Sequence, residues 1–185
     1  FEFFQYIFEK IFPKLKLLKH LSIQCGESIN VPKDLPISNL SPIINLRNLS
    51  HLNLDFHNLI LENLALSSEN QYKNALKSLK INFSGCLIKN LSLLDEFQFL
   101  KKVENLEIDF SRIILGLPGD SFNIGLVNLK KLKLNLSYLK PNDFTKQLFL
   151  SFINFEKLIE LYLDISSLFS GDKQSVVVNL RHQNI

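Results

Sequence analysis

Three histidines are the side chains whose type and spacing come nearest to a chemical site. His20 and His51 precede the same Leu-x-Leu pattern, and His57 lies a few residues further along the chain. Two or three imidazoles can hold a zinc ion if further ligands complete its coordination. No carboxylate or thiolate is clearly placed to complete it, and two cysteines, Cys25 and Cys86, are too few for a zinc cluster. We therefore predict surface histidines and no metal site.

Catalytic and phosphate-binding motifs are missing from the sequence. The nearest glycine-containing segments are GLPGDS from Gly116 and SGDKQS from Ser170. Neither has the spacing of a phosphate-binding or dinucleotide-binding loop, and metalloprotease, hydrolase and kinase signatures do not occur either. We predict that the chain is not an enzyme and has no cofactor.

The composition is typical of a folded protein without a strongly charged partner. Hydrophobic residues make up 46% and charged residues 21% of the 185 positions, which argues against global disorder. The net charge of +3 is small and its cations are scattered, so we expect no nucleic-acid binding. No apolar run is long enough for a membrane span, and the cysteine usage favours a reducing, cytoplasmic setting. The 16 Phe, with no Trp or Met, are typical of AT-rich genomes such as those of some protists.

A repeated pattern accounts for most of the chain. Six segments align without gaps to LxxLxLx followed by an apolar eighth residue, and their second leucines are Leu21, Leu52, Leu79, Leu106, Leu132 and Leu161. The successive spacings of 31, 27, 27, 26 and 29 residues lie in or near the range of leucine-rich repeats. In this pattern the sequence resembles the leucine-rich repeat family, and the longer repeats resemble its ribonuclease-inhibitor-like class. The resemblance implies an α/β solenoid of about six repeats, with a curved parallel sheet on the concave face and helices on the convex face.

The spacing of apolar residues within one repeat supports the same architecture. Leu79, Ile81 and Phe83 alternate with polar residues, which predicts a strand with one buried face. Stretches with helical spacing follow the strands. Two examples are Leu94, Phe97 and Leu100, and Phe144, Leu148, Phe152 and Phe155.

The turn after each strand departs from the family pattern. Leucine-rich repeats usually place an asparagine there to satisfy backbone groups, but the position three residues past the apolar eighth residue holds Ser28, Leu59, Cys86, Ile113, Leu139 and Leu168. We predict that Cys86, at this position, points inward. We also predict that the turns are satisfied through Ser84, Ser111, Ser137 and Ser166.

We interpret residues 1–185 as a single leucine-rich repeat domain that is open at both ends. Residues 1–17 have the apolar spacing of the helix of a preceding half-repeat, with Pro13 near its end. Residues 171–185 are interpreted as the start of a truncated repeat, because another strand would fall just past Ile185. The chain is therefore expected to be a fragment of a longer array.

Residues between the inward-facing leucines should form three columns across the exposed sheet face. The outer column takes the third position of the pattern, from His20 to Glu160. The middle column takes the fifth position and includes Lys80, Glu107, Lys133 and Tyr162. The end column takes the seventh position: Gln24, Asp55, Asn82, Asp109, Asn135 and Asp164.

The end column contains no cation, which predicts an acidic line that binds a basic or hydrogen-bonding segment of a partner. The alternative is a solvated face that merely keeps like charges apart. If the acidic line binds the partner, replacement of Asp55, Asp109 and Asp164 by Lys should abolish binding and leave the circular dichroism spectrum and the melting temperature nearly unchanged. The predicted partner-binding residues are Asp55, Asn82, Asp109, Asn135, Asp164, Lys80, Glu107, Lys133 and Tyr162.

The function that this surface favours is a scaffold for protein–protein interaction, because solenoids present extended binding surfaces. One alternative is the substrate-recognition region of a larger enzyme or ubiquitin-ligase adaptor, linked to a kinase or F-box domain. Another is an architectural subunit of a large complex, which exposed phenylalanines would favour. The sequence predicts a protein partner, no nucleic acid and no membrane, and it leaves the oligomeric state open.

Overall fold

A computed structural model describes residues 6–25, 40–44, 46–61, 75–115, 125–139, 145–146, 148, 155–166 and 177–181. These residues form two sheets wound into a parallel β-solenoid. The strands, numbered along the chain, are β1 (His20–Gln24), β2 (His51–Asp55), β3 (Ile60–Leu61), β4 (Ser78–Asn82), β5 (Leu87–Ile88), β6 (Asn105–Asp109), β7 (Ile114–Leu115), β8 (Lys131–Asn135), β9 (Glu160–Asp164) and β10 (Val177–Arg181).

The main sheet has the order β1-β2-β4-β6-β8-β9-β10, and the smaller sheet has the order β3-β5-β7. From β1 to β9 every main-sheet pairing is parallel, and the second leucine of each repeat pairs with the next, as Leu79 does with Leu106. This register confirms the repeat alignment. Three successive turns, starting at β2, β4 and β6, carry a strand in both sheets.

Alternating burial in the strands confirms which side chains face the core. In β4, Leu79 and Ile81 are buried while Lys80 between them is exposed. The eighth position extends the core with stacked rings, because Phe56, Phe83 and Phe110 are fully buried with centroids 6.0 and 5.5 Å apart. Each repeat therefore completes its core against its neighbours, as a solenoid requires.

A tight turn follows each of β2, β4, β6 and β8. Its first residue is the apolar eighth position, whose carbonyl accepts a hydrogen bond from the backbone N–H three residues later, as Phe83 does from Cys86. The third residue has a positive φ, as in a type II turn. At Gly85 this φ is +68°, and a Cβ there would clash with the Asn58 side chain. The position that follows is buried at Leu59, Cys86, Ile113 and Leu139, which confirms the inward position predicted for Cys86, while Ser28 and Leu168 lie outside the described residues.

The helices formed by the described residues are short. An α-helix spans Ser41–Ile44, and a 3-10 helix spans Leu91–Phe99. Leu94, Phe97 and Leu100 are buried, and their spacing of three fits the 3.0-residue turn of a 3-10 helix better than an α-helix. Of the second predicted helical stretch, Leu148 and Phe155 are buried, whereas Phe144 and Phe152 lie outside the described residues. The expected layer of helices is thus not confirmed.

The two ends of the described solenoid differ. At the first end, a π-helix (Ile7–Ile11) and a 3-10 helix (Phe12–Lys14) precede β1, consistent with the predicted helix, and Pro13 lies in the last turn. At the other end, β10 pairs antiparallel with β9. The interpretation of residues 171–185 as the start of another parallel repeat did not anticipate this, because β10 occupies the edge where the next parallel strand would pair.

Candidate partner-binding face

The end column caps the turns that follow the strands. In each of five repeats, an Asp or Asn side-chain oxygen accepts a hydrogen bond from the backbone N–H two residues later, the geometry of an Asx turn. The oxygen–nitrogen distances are 3.2 Å for Asp55 and His57, 2.9 Å for Asn82 and Ser84, 2.8 Å for Asp109 and Ser111, 3.0 Å for Asn135 and Ser137, and 2.9 Å for Asp164 and Ser166.

Neighbouring members of this column also bond across repeats. The Asn135 amide donates to the second oxygen of Asp109 at 3.0 Å. An asparagine amide can donate a hydrogen bond to a neighbouring carboxylate, whereas a second carboxylate could only accept one. This difference gives a physical reason for the alternation of Asp and Asn. Lysine cannot accept a hydrogen bond, so the Asx turns lead us to expect that replacement of Asp55, Asp109 and Asp164 by Lys destabilises the turns as well as changing the surface charge.

The turn serines have a different role from the one predicted. Their backbone N–H groups are the donors to the Asx oxygens, and the hydroxyls add local bonds. Ser111 Oγ donates to Ser84 Oγ at 2.9 Å, and Ser166 Oγ donates to Asp164 at 2.6 Å. The signal for the Asx turns was present in the sequence, since Asp or Asn is followed two residues later by Ser in four repeats.

The middle column forms a continuous ladder of charged and aromatic side chains. Lys80 and Lys133 both contact Glu107 Oε1, at 2.9 and 3.1 Å. Lys133 also lies 5.6 Å from the centre of the Tyr162 ring, within cation–π range. The structure thus brings these four predicted residues together, in the alternating order that the sequence indicated.

Glu107 is ionised over a wider pH range than an ordinary glutamate. Partial burial by itself would raise its pKa, but hydrogen bonds and attraction from Lys80 and Lys133 outweigh burial and lower the pKa. Two lysines therefore share one carboxylate, and the ladder keeps a cationic excess at neutral pH.

The outer column adds a second set of cross-strand contacts. His20 and His51 stack with ring centroids 4.3 Å apart, which confirms their predicted adjacency. Lys131 pairs with Glu160 at 3.2 Å. The described residues contain no group of three or more potential metal ligands. The third of the histidines considered above, His57, instead forms a 2.7 Å hydrogen bond with Asp55.

A depression of about 640 Å³ lies over β4, β6, β8 and β9. Its walls come from the outer and middle columns, so this part of the face is concave. Three lysines and two glutamates line it, together with Tyr162 at one end: Lys80, Lys131, Lys133, Glu107 and Glu160. The end column is not part of its lining, so the depression is a mixed, slightly cationic site and the predicted acidic line lies outside it.

The surroundings of both cysteines favour the protonated thiol. Burial, and secondarily the negative charge of Asp55, raises the pKa of the Cys25 thiol to about 11. Burial likewise raises the pKa of Cys86 to about 11, and its thiol donates to the Phe56 carbonyl at 2.8 Å. Cys86 is buried in the core and Cys25 is half-buried against it, and neither has the lowered pKa that a nucleophilic cysteine needs.

Comparison of the chain with family models, with curated proteins and with solved structures gives no match. Among the described residues, no helix has the length and apolar character to cross a membrane.

Proposed function

We propose that the chain is a leucine-rich-repeat solenoid that binds a partner protein through the open face of its main sheet. The observation that carries the proposal is the depression over β4, β6, β8 and β9, whose walls combine charged side chains with one tyrosine. The six parallel strands in register support the leucine-rich repeat assignment, while the short helices leave the ribonuclease-inhibitor-like class as the finer part of the proposal.

The energetics of the ladder favour binding over a purely structural role. Exposed ion pairs such as Lys80 with Glu107 stabilise a fold by only about 0–1 kcal/mol each, so the fold does not depend on this arrangement. Their mutual contacts do restrict long side chains that a partner would otherwise have to order on binding. Tyr162, half-buried at the end of the ladder, is the aromatic type that anchors interfaces.

The test is a comparison of two double variants in quantitative capture from a lysate of cells that express the protein. Lys133→Glu with Tyr162→Ala changes the depression. Lys101→Glu with Val127→Ala changes an exposed lysine and an exposed valine in turns that precede the strands. We expect proteins captured by the wild type to be lost with the first variant and retained with the second. Equal capture by all three chains would contradict the proposal.

The alternatives differ in how they relate to this face. A recognition region of an enzyme or ligase adaptor would use the same surface, so the capture experiment applies to it equally. An architectural subunit would be favoured by exposed phenylalanines, and the strongly exposed apolar side chains of the described residues are Tyr, Ile, Leu and Val. Binding through the sheet face is therefore the function that the described residues support best.

A further inference from the structure

The positive-φ position of the four tight turns is occupied by very different side chains. The φ angles are 61° at Asn58, 68° at Gly85, 57° at Arg112 and 62° at Tyr138. Gly and Asn adopt this conformation readily, whereas longer side chains are strained in it. Two of the four turns therefore place an unfavourable residue where the chain elsewhere uses a favourable one.

The turn geometry itself does not require Arg112 or Tyr138. Each makes the backbone bond that its position demands, Arg112 N–H to the Ser137 carbonyl at 3.2 Å and Tyr138 N–H to the Ser166 carbonyl at 3.0 Å. Asn58 makes the same bond to Ser84 at 2.9 Å. Backbone strain retained without structural need is a reason to look for function.

The two strained side chains meet on the surface. The Arg112 guanidinium lies 4.8 Å from the centre of the Tyr138 ring, and the tyrosine remains 58% exposed. Within the described ranges, the guanidinium has no carboxylate partner. An unpaired cation is thus held against an aromatic ring at the solenoid edge.

An exposed aliphatic residue follows Arg112 two positions along the chain. Ile114 is 61% exposed on β7, whereas Ile60 and Leu87, at the same step of the two preceding turns, are half-buried. We name Arg112, Ile114 and Tyr138 the turn-edge patch. It lies beyond the carboxyl ends of β6 and β8, apart from the depression on the sheet face.

We propose that the turn-edge patch is a second protein-binding surface, one that takes a segment in which a carboxylate lies beside an aromatic or aliphatic side chain. The guanidinium can form a two-point bond with a carboxylate, and the Tyr138 ring and Ile114 can cover the adjacent apolar group. Arg and Tyr are the residue types that dominate interface energies. Charge complementarity selects an acidic segment, because none of the described residues supplies a carboxylate to the Arg112 guanidinium.

The probe is a fluorescein-labelled heptapeptide of alternating glutamate and phenylalanine, with a counterpart in which glutamine replaces glutamate. Fluorescence polarisation compares the wild type with an Arg112→Asn/Tyr138→Asn variant, which adopts the residue that the chain itself uses at position 58. We expect the acidic peptide to bind the wild type at least tenfold more tightly than its counterpart. The variant should lose this binding while its melting temperature stays the same or rises by about 2–4 °C.

Three results would overturn the proposal. The first is equal affinity of the wild type for both peptides, or of the variant and wild type for the acidic one. The second is a fall in the melting temperature of the variant, which would show that Arg112 and Tyr138 stabilise the fold. The third is concentration-dependent dimerisation of the wild type that the variant lacks, which would make the occupant a second copy. A Lys80→Gln variant, altered only in the depression, should keep peptide binding, so failure of this proposal is distinguishable from failure of the first.

Discussion

Replacement of Asp109 by alanine should destabilise the solenoid far more than a surface aspartate normally would. The carboxylate accepts the Ser111 N–H at 2.8 Å and the Asn135 amide at 3.0 Å. Ser111 is only 8% exposed, so water cannot fully replace the lost acceptor. A hydrogen bond to a charged group contributes about 1.5–3 kcal/mol, and leaving its buried partner unsatisfied is costly. We expect the free energy of unfolding to fall by about 2–4 kcal/mol.

The isosteric change Asp109→Asn separates the two bonds. The asparagine oxygen can still accept from Ser111, but its amide would face the Asn135 amide, and two donors cannot bond. Only the bond between repeats is then lost, and the expected cost is about 1 kcal/mol. We therefore expect the free energy of unfolding to decrease from the wild type to Asp109→Asn and further to Asp109→Ala.

Urea denaturation followed by circular dichroism measures the series. Glu156→Ala, at an exposed turn position, is the matched control and should change stability by less than about 0.5 kcal/mol. If Asp109→Ala behaves like this control, the carboxylate is a solvated surface group and the assignment of the end column to turn capping is refuted.

Three further predictions concern the core, the pH dependence and the thiols. Leu106→Ala, at a site only 3% exposed, should cost about 2–5 kcal/mol in urea unfolding; a loss below about 0.5 kcal/mol would mean that β6 faces the other way. The lowered pKa of Glu107 contributes stability that is present above the ordinary carboxyl pKa of about 4.3 and is lost as the pH falls through the lower folded value. Melting temperatures of Glu107→Gln should therefore fall less steeply below about pH 4.5 than those of the wild type, and identical slopes would contradict the ladder. With a pKa of about 11 for both thiols, a disulfide exchange reagent at pH 8 should label half-buried Cys25 and buried Cys86 more slowly in the native chain than in the unfolded chain, and equal labelling rates would contradict the raised pKa values.

The strands were predictable from the sequence because their signal is periodic and repeated. Leu79, Ile81 and Phe83 alternate inward, and the same alternation recurs at a nearly constant spacing, so register and facing followed together. The cross-strand order Lys80, Glu107, Lys133 followed from the same register. The sequence alone could not show whether the Asp109 side chain faces solvent or accepts a hydrogen bond from the backbone. The carboxylate of Asp109 accepts the Ser111 N–H of the following turn, and this bond decided its role.

The segments between strands were less predictable for a related reason. Apolar residues at intervals of three and four both suggest a helix, and only packing decides between a 3-10 and an α-helix, as at Leu94 and Phe97. The repeat pattern also could not predict the antiparallel pairing of β10, because the segment of β10 does not align with the six repeats. An edge strand can pair in either direction, and local chain reversal determines which.

Site-specific photo-crosslinking tests the central claim most directly. A benzophenone amino acid replaces Tyr162 in the depression in one chain and the exposed Val127, in a turn outside it, in another. Proposed binding through the sheet face predicts that irradiation in cells yields a discrete cross-linked species from position 162 and none from position 127. Cross-linking at position 127 alone, or at both positions equally, would contradict it.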